Sequence, residues 1–102
     1  MKRNYGGAFD IDPESYFTKD DLVEFLYALN DTISDMVTDD WSEATEAYID
    51  DDVLEVVVSD ANGDEHVFRK RIDYRTVRRP QDLNKYVRMI ITDMQNTYVP
   101  RY

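Results

Sequence analysis

The chain has 102 residues with 22 acids against 12 bases, a net charge of −10, and no cysteine. That length fits one domain, and the missing cysteines exclude a disulfide framework, a thiolate nucleophile and a cysteine metal site. At 42% hydrophobic and 13% aromatic it is too rich in core formers for a disordered acidic tail, and no apolar run approaches the roughly 20 residues of a membrane span.

Residues 1–17 hold Gly6-Gly7 and Pro13 and read as an irregular arm, with Tyr5, Phe9, Ile11, Tyr16 and Phe17 available to pin it to the body. The basic start Met1-Lys2-Arg3-Asn4 is followed by no apolar stretch, so no secretory leader is expected and the reading is cytoplasmic. Thr18 with Asp21 has capping-box spacing, and Leu22, Phe25, Leu26, Leu29, Ile33 and Met36 fall within about 100° of helical arc, which predicts a helix over 19–38. Asp40 with Glu43 repeats the cap, and Trp41, Ala44 and Tyr48 repeat helical spacing, which predicts a short helix at 41–49. The run Asp50-Asp51-Asp52 ends it by mutual repulsion.

Val53 to Ser59 is β-branched and predicts a strand. Asn62-Gly63 predicts a hairpin with a type I′ turn, pairing Val57 with Phe68, Glu55 with Lys70 and Val53 with Ile72. The opposite face then carries Leu54, Val56, Val58 and Val67. Tyr74 and Val77 suggest a third strand within 73–78. Pro80 opens a last helix whose stripe is Leu83, Tyr86, Val87, Ile90, Met94 and Tyr98, and Pro100 closes it. The expected fold is one α+β domain over 1–102. It has a small antiparallel sheet of two or three strands, with two long helices and one short helix packed against it.

Charge is unevenly spread along this chain. Residues 10–65 carry nineteen acids and one base, Lys19, whereas residues 66–102 carry nine bases and three acids. Asp20, Glu24, Asp31 and Asp35 share the outer face of the first helix with Tyr27. Asp39, Asp40, Glu43 and Glu46 would extend that row, followed by Asp50, Asp51 and Asp52, and Asp60, Asp64 and Glu65 mark the hairpin tip. An exposed face ordinarily mixes charge signs, and this one does not, so these residues are the candidate contact surface for a basic partner. The alternative reading is a solvated face that keeps the protein soluble, although such faces ordinarily interleave Lys or Arg.

Catalysis and metal binding find little support in the residues. Asp60-Ala61-Asn62-Gly63-Asp64-Glu65 lacks the order and length of a calcium loop, and turn chemistry accounts for Asn62 and Gly63. His66, the sole histidine, is expected across the hairpin near Ser59 without a nucleophile. No enzyme, cofactor or metal is expected. The basic segment from Arg69 to Arg79 reads as pairing with the acidic half, with head-to-tail self-association as an alternative. Direct binding of nucleic acid is disfavoured by the −18 carried by residues 10–65.

The acidic helix, the strand-turn-strand segment from Val56 through Asp60-Ala61-Asn62-Gly63-Asp64 to Val67, and the C-terminal helix resemble the small acidic phage inhibitors of the anti-CRISPR and anti-restriction class. The segment itself looks like the central hairpin of anti-CRISPR proteins directed against type II effector nucleases. The resemblance implies carboxylates that mimic DNA phosphates, occupy the basic groove of a nuclease and block it. The alternative is a non-mimic acidic adaptor, possible as a homodimer through its basic C-terminal third.

Overall fold

Thr18 opens the first helix, α1 (Lys19–Ser34), by the reciprocal cap read from the sequence: its Oγ1 accepts the Asp21 amide at 3.2 Å, and its own amide donates to Asp21 Oδ2 at 2.8 Å. The computed structural model describes residues 17–36 and 39–100. The arm expected at 1–17 therefore lies outside the described residues, except for Phe17, which is buried in the core. Phe25, Leu29 and Ile33 of the predicted stripe are buried. α1 stops four residues short of the expected boundary at 38, with Asp35 as its C-cap. Thr32, Ser34 and Asp35 are weak helix formers, and nothing basic in the last turn offsets their neighbourhood.

The short helix expected at 41–49 is a strand, β1 (Trp41–Asp50), paired antiparallel with β2 (Val53–Asp60). The misreading has a physical source. Two β-bulge-type register shifts, between Trp41 and Glu43 and between Ala44 and Glu46, each insert a residue. The core-facing residues Trp41, Ala44 and Ala47 then recur every three positions and imitate a helical period. Asp51, at φ 60°, makes the tight turn into β2, a conformation Asp tolerates better than most side chains.

β3 (Glu65–Arg71) completes a sheet of order β1-β2-β3. Its register differs by one residue from the expected one: Val57 faces Val67, Glu55 faces Arg69 and Val53 faces Arg71. The turn is the cause. The Gly63 amide donates to the Asp60 carbonyl at 3.0 Å, and Gly63 alone in the loop has positive φ, at 88°. That is a three-residue loop, whereas the type I′ turn has two. A one-residue slip exchanges faces, so Phe68 lies in the core opposite Val56 and Val67 turns outward, 42% exposed.

No strand forms at 73–78. Asp73 instead closes a turn by accepting the Thr76 and Val77 amides, and Val77 is buried. Pro80–Asn84 is a 3-10 helix leading into α2 (Lys85–Gln95), which buries Tyr86, Val87, Ile90, Ile91 and Met94. Tyr98 lies beyond α2 and is 82% exposed, while Val99 is buried in its place. Both helices pack on one face of the sheet, α1 over β1 and α2 against β3 and α1. The α+β expectation holds, with three strands. The helical detail differs: among the described residues there is one long helix, one of 11 residues, and a 3-10 turn.

Candidate functional site

The topology decides where the acids go. Asn30, late in α1, meets Ala44, while Leu22 and Leu26, earlier in α1, stand beside Thr45 to Ile49. α1 therefore runs antiparallel to β1. Asp20 and Glu24 lie toward the sheet end that carries Asp50, Asp51 and Asp52. Asp31 and Asp35 lie toward the other end, where the Asp40 carbonyl accepts the Ala61 amide at 2.8 Å and Trp41 pairs with Asp60. Asp39 and the tip residues Asp64 and Glu65 sit at that same end.

Asp20, Glu24, Tyr27, Asp31 and Asp35 are exposed, as are Asp39, Glu43, Glu46, Asp50, Asp51, Asp64 and Glu65. Glu43 and Glu46 pair with Ser59 and Val57 on the face of the sheet that, among the described residues, no helix covers. The α1 row is turned away from the sheet, with Glu24 toward Pro80, Gln81 and Asn84, whereas the Glu43–Glu46–Asp50 row stands on the opposite face, along the edge strand β1. The α1 row runs along most of that helix, which is about 24 Å long.

Three of the expected contact acids behave differently, the first being Asp40, which is half-buried with its Oδ1 shut off from solvent. Asp60 does not face a partner: it is 2% exposed. Its Oδ1 accepts the Asn62 and Asp64 amides at 2.9 and 3.0 Å, and its Oδ2 lies 2.8 Å from His66 Nε2. The His66 hydrogen bond, aided by those amides and opposed by burial, holds the Asp60 carboxyl below its ordinary range. His66 pairs with Val58 rather than Ser59 and packs edge-on against Trp41 at 4.9 Å. Asp52, half-buried, forms an ion pair with Arg71 at 3.0 Å.

The remaining cations are largely matched within their own third of the chain. Lys70 pairs with Asp93 at 2.7 Å, Arg75 with Asp73 at 3.0 Å and Arg79 with Asp82 at 3.2 Å. Arg69 reaches Glu55 at 3.0 Å, and Glu55 also accepts the Tyr48 hydroxyl at 2.5 Å, a chain across all three strands. The Tyr48 bond, then Arg69, lowers the Glu55 pKa, and the same bond raises that of Tyr48. Among the described residues, no cation pairs with Asp20, Glu24, Asp31, Glu43 or Glu46.

Comparison with protein-family models, with curated proteins and with solved structures finds no match. The site thus stands on its own geometry. Among the described residues no group of three or more His, Asp or Glu is arranged to hold a metal ion, and no helix is long and apolar enough to cross a membrane.

One feature of this edge was missed in the sequence. A groove of about 410 Å³ runs between α1 and β1, walled by Phe17, Leu22, Val23 and Leu26 on one side and Ala47 and Ile49 on the other. Its signal was present: Lys19, Val23, Leu26 and Asn30 follow one another at helical spacing beside the core stripe. Asn30 closes one end, donating from Nδ2 to the Ala44 carbonyl at 3.0 Å and accepting the Ala44 amide at 2.7 Å.

Proposed function

We propose that the protein is an acidic binding module that enters the basic groove of a nucleic-acid-handling protein and excludes nucleic acid from it. The carrying observation is the segregation of charge. α1 and the edge strand β1 carry carboxylates with no cation paired to them among the described residues, while Arg69, Lys70, Arg71, Arg75 and Arg79 are paired with Glu55, Asp93, Asp52, Asp73 and Asp82. Carboxylates one helical turn apart are spaced about 6 Å, against about 3.4 Å for phosphates along one DNA strand. One row is too sparse to stand in for a phosphate backbone. The reading therefore rests on the summed field of the α1 and β1 rows. Such a field steers a cationic partner at rates up to about 10⁸–10⁹ M⁻¹s⁻¹ at low salt. In this reading the protein inhibits and does not catalyse, and it needs no cofactor.

The test is capture of partners on the immobilised chain at about 50 mM and about 500 mM salt, followed by elution with duplex DNA. A nucleic-acid enzyme held at low salt and released by DNA supports the reading. A neutral or acidic protein held equally at both salts removes it. A second reading rests on the exposed guanidinium groups of Arg69, Arg71 and Arg75, 62%, 80% and 89% exposed: an adaptor that stacks head to tail, basic edge to acidic edge. It requires a molecular mass that rises with concentration at low salt.

A further inference from the structure

We propose that the groove between α1 and β1 binds an extended basic segment of a partner protein, which joins the sheet as a fourth strand. This rests on the reading of the acidic edge as the binding face, and it specifies what that face holds.

Main-chain direction is the first support. The Asp60 amide bonds the Asp64 carbonyl and the Ile72 amide bonds the Asp52 carbonyl, so even-numbered residues at this β2 edge point toward β3. Odd-numbered β2 residues then bond β1, and in the observed register Ala44, Ala47 and Ile49 turn their N–H and C=O groups away from the sheet. Asn30 satisfies Ala44. Among the described residues nothing meets the outward groups of Ala47 and Ile49. An edge strand is a template for pairing unless it is covered, and here one position is covered and the next two are open.

Side-chain chemistry is the second. The open stretch Thr45 to Ile49 spans about 17 Å and faces an apolar wall of Leu22, Val23 and Leu26, with Val23 39% exposed. Phosphates have no use for such a wall. An added strand does, because alternate side chains point to opposite faces: one set enters the wall under α1, and the other stands beside Glu43, Glu46 and Asp50. Glu46 also lines the groove, and Lys19 is the one cation that does so among the described residues. The fitting segment alternates aliphatic residues with Lys or Arg. Main-chain bonds supply affinity and the two side-chain rows supply selectivity, as in other strand-addition complexes.

The probe is a capped seven-residue peptide of alternating valine and lysine, added to the full chain and followed by amide NMR and titration calorimetry. Binding should shift the Ala47 and Ile49 amides and slow their exchange at least about tenfold. N-methylation of alternate peptide amides, which leaves the protein untouched, should weaken binding about tenfold or more, and Val23→Lys should do the same without lowering the thermal midpoint. If an alternating serine–lysine peptide binds equally and N-methylation has no effect, the acidic edge remains a binding face and strand addition is overturned. If no lysine peptide binds at low salt, both readings fall. If Ala47 and Ile49 are already protected in the free chain, the occupant is the chain's own residues 1–16 when protection ignores dilution. It is a second copy when protection grows with concentration. Either result overturns the partner assignment.

Discussion

Single side chains fix the hairpin tip, and two of them can be tested directly. Gly63 sits at φ 88°, and a Cβ placed there meets nothing within 4 Å. The cost of Gly63→Ala is therefore backbone strain alone, about 1–2 kcal/mol, and urea unfolding should show it with an unchanged m-value. Asp60 and Asp82, with Asp73 and Glu55, are the carboxyls whose lowered pKa ties the fold to pH. The Arg78 amide, the Arg79 amide and then the Arg79 guanidinium hold Asp82 at about 2 against an ordinary 3.8, and Asp60 is lowered chiefly by His66. A carboxyl whose folded pKa lies below its unfolded one contributes stability that is complete above the unfolded value and is lost as pH falls through the folded value. Unfolding free energy should therefore drop between about pH 4 and about pH 2. Asp82→Asn should flatten that drop while lowering stability at neutral pH. An unaltered slope in chemical denaturation across that range would show that Asp82 is not the group.

At the level of elements, the α1–β1 seam depends on Asn30. Its amide is the one side chain that both donates to and accepts from the main chain of a bulged edge strand, so Asn30→Leu leaves two half-buried backbone groups unmatched. The expected loss is about 1–3 kcal/mol, read by denaturant midpoint, and faster amide exchange at Ala44 should accompany it. This seam also marks where the sequence stopped being legible. α1, the strand Val53 to Ser59 and the α2 stripe could all be read because each obeys a single period, 3.6 or 2. β1 could not, because two inserted residues convert a period of 2 into a period of 3, and one-dimensional spacing then favours a helix. The hairpin was legible as a hairpin, but its register depended on which residue adopts positive φ, and Asn62-Gly63 fits both a two-residue and a three-residue loop. The acids of α1 were placed correctly as an exposed row. The groove beside them was invisible for the same reason as β1: one of its walls was assigned to the wrong kind of element.

On the scale of the whole molecule, strand order turns a chain that is bipolar in sequence into one that is bipolar in space. The acidic α1 and β1 occupy one sheet edge, and the basic β3 and residues 72–79 lie toward the other. The basic side is neutralised locally by ion pairs of 2.7–3.2 Å, so the carboxylates that remain repel one another without a matching attraction. At about 10 mM ionic strength the screening length of about 30 Å exceeds the length of α1, and every acid of the α1 row feels every other. At about 150 mM it is about 8 Å, and only neighbours interact. Folding gathers these charges more closely than the expanded chain does, so the folded state carries the larger repulsion. The thermal midpoint should therefore rise with added salt. Glu24→Gln, Asp31→Asn and Asp35→Asn together should raise it further at low salt and reduce its salt dependence. Asp31 and Asp35 also oppose the negative end of the α1 dipole, which pushes in the same direction. Neutralising the paired Asp73 and Glu55 should do the opposite and lower the midpoint. A wild-type midpoint that falls as salt is added would mean that attraction between the two edges dominates, which is what interleaved cations would produce and segregated ones do not.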